Sequence, residues 1–161
     1  MIANIDENVG RLREKLQEWN IAKDTILIWM TDNGTSAGIK ADSNPDGLPV
    51  IGFNAGMRGK KASIYDGGHR VPCFVHWPRE DGNGFTGGRD VDQLRAHYDW
   101  LPTLVELCGL SFNESLPLDG RSIVPLLRGD SKAWQERSMI RQYQGGVFFR
   151  FHPSPGASLL L

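Results

Sequence analysis

An amphipathic helix that runs straight into an uninterrupted apolar strand, with Asp32-Asn33-Gly34 at the strand's far end, most restricts the folds open to this chain. Ile2, Ile5, Val9, Leu12, Leu16 and Trp19 recur at alternating intervals of three and four. Asp6, Glu7, Arg11, Arg13, Glu14 and Lys15 lie between them, which is the period of a one-sided helix. The pattern is already running at residue 1 with no capping box ahead of it, as expected of a chain that starts inside an element. Asn20 to Asp24 breaks the period. Thr25-Ile26-Leu27-Ile28-Trp29-Met30-Thr31 then forms a continuous apolar run of strand length, rich in β-branched and aromatic residues. Runs without polar alternation are typical of strands covered on both faces, as in parallel sheets with helices above and below. The expected fold class is therefore α/β, with a mostly parallel sheet flanked by helices.

Further along, Gly34 to Gly59 is rich in Gly, Asn, Ser and Pro and holds only the short apolar patch Val50-Ile51-Gly52-Phe53. A loop this long inside a domain is usually either functional or disordered. Val71 to Pro78 reads as a second strand bracketed by prolines. Tyr98 to Cys108 reads as a helix, with Leu101, Leu104, Val105 and Leu107 on one face, Pro102 in the first turn and Gly109 as its stop. Ser122 to Leu127 reads as a shorter helix ending at Gly129, and Ser138 to Tyr143 as a strand. Phe148 to Leu161 has no clear period and is expected to be irregular.

A chain of 161 residues can bury one ordinary core. Its net charge of -1, with acids and bases interleaved, excludes the basic footprint of a nucleic-acid binder and an electrostatic membrane anchor. The apolar runs fall far short of a span of roughly 20 residues, and acidic residues stand where a signal peptide would be apolar. No nucleic-acid or membrane partner is expected, and no localisation can be assigned. Cys73 and Cys108 sit in apolar patterns and read as buried thiols rather than a disulfide or zinc pair.

Two segments carry chemistry. Asp32 and Asn33 fall at the carboxyl end of the strand, where open α/β sheets gather their functional residues. A carboxylate and an amide oxygen in succession suit a hard cation such as calcium or magnesium, although Asn-Gly is equally a common turn dipeptide. Arg58, Lys60 and Lys61 place three cations within four positions, before Asp66-Gly67-Gly68-His69-Arg70-Val71-Pro72. Lys61 could hold a sulfate or phosphate oxygen and offset charge on a leaving group; the plain alternative is a solvated basic loop. Gly67 and Gly68 read as the stop of a short helical turn, Asp66 as orienting that turn, and Arg70 as a structural cation paired with Asp66 or a neighbouring carboxylate. His69 lies beside the turn, where it could bind a substrate but reads first as a surface turn histidine, while His76, His97 and His152 read as structural or peripheral.

Asp32-Asn33-Gly34, the spacing to Lys61-x-x-x-x-Asp66-Gly67-Gly68-x-Arg70-Val71-Pro72, then Tyr98-Asp99-Trp100-Leu101-Pro102-Thr103-Leu104 and Leu118-Asp119-Gly120-Arg121-Ser122, resemble the later part of a type I sulfatase, or arylsulfatase. The resemblance runs from residue 1 to about residue 130. It implies an alkaline-phosphatase-like α/β sandwich that hydrolyses sulfate esters with one calcium ion. Asp32 and Asn33 would be metal ligands, and Lys61 would act catalytically by contacting the sulfate. Residues 1–130 would then be the C-terminal portion of the catalytic domain, and 131–161 a partly irregular tail with one strand.

The family's nucleophile is a formylglycine made within a Cys/Ser-x-Pro-x-Arg motif, and no such motif occurs in this chain. The chain is therefore expected to supply metal ligands and a sulfate-binding lysine while being inactive alone. Two other functions fit the same residues: a non-catalytic folded module from a truncated gene, and part of a phosphatase or phosphodiesterase of the same superfamily. A strand at Thr25 to Thr31 without its sheet neighbours would present an apolar edge, so self-association is expected.

Overall fold

The computed structural model describes residues 2–36, 51–85, 87–112, 117–142 and 148–151. Helix α1 spans Ile2–Glu18, matching the three-and-four period. Its outer face is laced by Arg11–Glu7 at 2.9 Å and Lys15–Glu18 at 2.6 Å, exposed pairs worth a few tenths of a kcal/mol each. No residue of α1 is buried, and Ile2, Leu12 and Trp19 remain exposed.

Strand β1, Leu27–Met30, is shorter than the apolar run that announces it. It pairs with β2, Cys73–His76, in antiparallel register: Leu27 opposite His76, Ile28 opposite Val75, Trp29 opposite Phe74 and Met30 opposite Cys73. The expected parallel pairing is thus not seen among the described residues, where both strand pairs are antiparallel. The reason is physical: a continuous apolar run reports that both faces of a strand are in use but says nothing of its neighbour's direction. Both faces of β1 are indeed in use. On one, Ile26 and Ile28 pack with Val75 on a cluster of Val91, Ile123, Leu126 and Leu127. On the other, Trp29 meets Phe74 with ring centroids 5.5 Å apart. Leu27 and His76 there face Arg13, Leu16 and Gln17 of α1 across a shallow cleft. Trp77, buried at the end of β2, donates its indole N–H to the Lys23 carbonyl at 3.0 Å and fixes the entry to β1.

Helix α3 spans Trp100–Leu107 and ends at Gly109, whose φ of 61° makes it the expected stop. The expected apolar face is only partly correct: Leu101 is exposed, and the fully buried residue is Thr103. Helix α4, Val124–Leu127, ends at Gly129 with φ 88° and supplies Val124, Leu126 and Leu127 to the core. Strand β3, Met139–Gln142, pairs antiparallel with β4, Phe148–Phe151. The sequence was read as irregular from Phe148 onward, so β4 is a correction: a Phe-rich run needs no alternation when its partner strand sets the register. Residues 152–161, and most of the expected Gly34–Gly59 loop (37–50), lie outside the described residues.

The two thiols differ. Cys108 is exposed, correcting the expectation that it is buried; Cys73 is half-buried, with its pKa pushed up by burial against smaller opposing pulls from Arg95 and Trp100. The thiolate is the reactive form. Under iodoacetamide at neutral pH, Cys108 is expected to alkylate first, by about tenfold or more, and peptide mass spectrometry over a time course reads the order directly. Equal rates would contradict the packing around Cys73.

Candidate functional site

The antiparallel register sets Met30, the last residue of β1, beside Cys73, the first of β2. The loop leaving β1 and the segment entering β2 must therefore meet at one end of the sheet. The first carries Thr31-Asp32-Asn33-Gly34; the second carries helix α2, Asp66–His69. Gly34 donates its N–H to the Gly68 carbonyl at 3.0 Å, and Lys61 donates its N–H to the Thr35 carbonyl at 2.8 Å. Two backbone hydrogen bonds thus join the motifs that the sequence singled out separately.

The joint is packed through glycine. A Cβ on Gly34 would overlap the Gly67 carbonyl oxygen and lie 2.8 Å from the Gly67 carbonyl carbon and 2.9 Å from that of Gly68. One on Gly67 would overlap the Gly59 carbonyl oxygen and the Asn54 side-chain nitrogen, and one on Gly68 would overlap the Ser63 carbonyl oxygen. Gly67 and Gly68 are therefore not a helix stop, as the sequence suggested. They lie inside α2, buried, because only a bare backbone fits where three loop segments cross.

Asn54 was not singled out by the sequence, yet it holds this crossing together. It is buried, and its amide donates to the carbonyls of Gly59 at 2.7 Å and Met57 at 3.1 Å. The only signal for it was position, an Asn ahead of the Ala55-Gly56 turn. Both of those residues take positive φ, 49° and 68°.

Among the three cations, the structure distinguishes one. Arg58 stacks over the Tyr65 ring at 3.8 Å, and Lys60 is half-buried and engaged elsewhere. Lys61 is exposed, and its ammonium has no hydrogen bond or ion pair among the described residues. It occupies the second position of a turn closed by Ser63 N–H to Lys60 carbonyl at 2.9 Å, and Ala62 takes φ 67° in the third. A lysine raised on a turn whose backbone is tied to Thr35 is held near the Asp32 loop.

On that loop, Asp32 is exposed. Thr31 donates its hydroxyl to the Asn33 carbonyl at 3.2 Å, and Asn33 donates its amide N–H to the Gly34 carbonyl at 3.1 Å. The Asn33 amide oxygen has no hydrogen-bond donor among the described residues. The donor chemistry fits a hard cation: a carboxylate and an amide oxygen, with no soft ligand. Among the described residues no three His, Cys, Asp or Glu side chains converge, so the pair is a partial donor set. His69 sits half-buried at the end of α2, and Arg70 pairs with Asp66 at 3.5 Å as expected.

A second constellation centres on Asp99. Asp99 is fully buried and accepts from the Ala96 N–H at 2.7 Å, the Arg121 N–H at 3.1 Å and the Arg137 guanidinium in a two-pronged pair. Thr103, one turn on, donates its hydroxyl to the Asp99 carbonyl at 2.6 Å and accepts the Ile123 N–H at 3.0 Å. Gly120 is required because a Cβ there would overlap the Tyr98 carbonyl oxygen. The Tyr98–Leu104 and Leu118–Ser122 motifs are thus two halves of one structural latch rather than catalytic parts. The i, i+4 spacing of Asp99 and Thr103 could have suggested it; nothing in the sequence points to Arg137.

The sulfatase family model matches residues 1–110. Steryl-sulfatase of Mus musculus is 34% identical over 131 residues, covering 81% of this chain and 20% of that protein. Steryl-sulfatase of Homo sapiens is 29% identical over 98% of this chain and 26% of its own length, and arylsulfatase A of Homo sapiens is 29% identical over 82% and 23%. This chain belongs to the sulfatase family. It spans 20% to 26% of the length of these relatives.

Proposed function

We propose that this chain supplies the metal-ligand and sulfate-holding loops of a calcium-dependent sulfatase, a hydrolase of sulfate esters. The reading rests above all on the glycine-packed crossing that ties Gly34 to Gly68 and Lys61 to Thr35. Asp32 and the Asn33 amide oxygen would hold the ion. Calcium, when bound, neutralises the charge of a sulfate group. Lys61 acts as a point charge that holds one sulfate oxygen and offsets the negative charge growing on the departing alcohol oxygen. Asn54 and the three glycines Gly34, Gly67 and Gly68 hold these groups in place, because catalysis by charge depends on donors fixed before the reaction starts. The helix and strand array is then one part of an alkaline-phosphatase-like α/β sandwich.

With no Cys/Ser-x-Pro-x-Arg segment in the chain, no residue here attacks sulfur. The isolated chain is expected to show no turnover of an aryl sulfate above buffer. Two protein ligands are few for an ion that takes six to eight, so calcium should bind with Kd of about 1 mM. Calorimetry should show this heat abolished in Asp32→Ala. Turnover that disappears in Asp32→Ala would overturn the claim that the nucleophile is absent; calcium binding indifferent to Asp32→Ala would overturn the ligand assignment.

A further inference from the structure

The chain has two Asn-Gly pairs, Asn33-Gly34 and Asn83-Gly84. This dipeptide is prone to self-deamidation, because glycine has no side chain to keep its backbone nitrogen away from the preceding amide. The glycine nitrogen gives its proton to hydroxide and attacks the Asn side-chain carbon, and ammonia leaves. Water then opens the resulting succinimide ring to aspartate or isoaspartate. The reaction needs a glycine N–H that can be released and a peptide that can swing toward the side chain.

The structure treats the two pairs differently. Gly34 donates its N–H to the Gly68 carbonyl at 3.0 Å. The Asn33 side-chain nitrogen, which would leave as ammonia, donates to the Gly34 carbonyl at 3.1 Å. Gly34 also lies so close to Gly67 and Gly68 that even a Cβ would overlap them, so its peptide has no room to rotate. Asn83, by contrast, is exposed. Its own N–H donates to Asp81 at 3.0 Å, but among the described residues neither its side-chain amide nor the Gly84 N–H has a hydrogen bond.

We propose that the Gly34–Gly68 bond is also a chemical lock: it protects Asn33 from self-deamidation, and the chain deamidates at Asn83 instead. The benefit to the site rests on the metal-ligand reading above. Deamidation of Asn33 would replace its amide with a second carboxylate beside Asp32 or, in the iso form, lengthen the backbone of the loop.

The full chain, incubated in calcium-free buffer at mildly alkaline pH and followed by peptide mass spectrometry, tests the lock. Asn83 should convert faster than Asn33 by about tenfold or more, the rate equivalent of one hydrogen bond that must break before reaction. In concentrated urea both pairs are open, so Asn33 should accelerate and the two rates should become nearly equal. Gly68→Ala, whose added Cβ overlaps the Ser63 carbonyl oxygen, should speed Asn33 and leave Asn83 unchanged. Equal rates in the folded chain, a ratio that persists in urea, or an Asn33 rate unmoved by Gly68→Ala would each overturn the lock. Because no calcium is present, failure of the ligand assignment would leave these rates as they are, and the two ideas stand or fall separately.

Discussion

Replacing Gly34 with alanine should destabilise the chain by about 3 kcal/mol, the upper range for forcing atoms into packed space, and should weaken calcium and sulfate binding together. A methyl group there meets the backbone of Gly67 and Gly68 rather than the end of a flexible side chain, so no rotamer change makes room. The two loops must separate, and the Gly34 N–H to Gly68 carbonyl bond is lost as they do. Gly67→Ala should behave alike, since its neighbours are the Gly59 and Arg58 carbonyls and the Asn54 amide. Gly10 provides the opposite case. It lies inside α1 with nothing within 4 Å of an added Cβ, so Gly10→Ala should stabilise by about 1 kcal/mol through helix propensity alone. Urea unfolding of the three variants reads both signs, and a neutral Gly34→Ala would refute the close approach of the loops.

Asp99→Ala should cost about 3–5 kcal/mol, the range for removing one partner of a buried ion pair. Marginal domains have only about 5–15 kcal/mol in all. The loss leaves the Arg137 guanidinium without its carboxylate, and the N–H groups of Ala96 and Arg121 without an acceptor. Thr103→Val should cost about 1–3 kcal/mol, because it strands the Ile123 N–H and removes the bond to the Asp99 carbonyl. A double-mutant cycle between Asp99→Asn and Arg137→Met isolates the pair, and a coupling near zero would show that the latch is held by the backbone contacts instead. Calcium binding should survive Thr103→Val, since Thr103 belongs to the latch and not to the Asp32 loop.

Local order was legible wherever one residue type has one dominant reason to be present. The α1 period, the stops at Gly109 and Gly129 and the Asp66–Arg70 pair follow from spacing and backbone preference, and the structure has them. The direction of strand pairing was not legible, because the apolar run at Thr25–Thr31 is the same for either direction. Gly34, Gly67 and Gly68 were legible as glycines but not in their reason. A glycine required by a crossing segment carries no local sign of that segment. Asp99 and Asn54 show the same limit from the polar side: each is satisfied by groups tens of residues away or by a folded loop, and only the assembled chain brings those groups together. The candidate site residues Asp32, Asn33 and Lys61 were readable from motif order and spacing. The fold adds that the backbone of one loop is bonded to the other.

The central claim is that Asp32, Asn33 and Lys61 act together as one cation and sulfate site. A two-dimensional amide NMR titration of the full chain, first with calcium and then with inorganic sulfate, tests it most directly. The Asn33 side-chain amide and the Gly34 and Lys61 backbone amides should shift with calcium. They should shift again with sulfate only when calcium is present, with Lys61→Met abolishing the second step and Asp32→Ala abolishing both. Shifts confined to other residues, or sulfate shifts indifferent to calcium and to Lys61→Met, would contradict it.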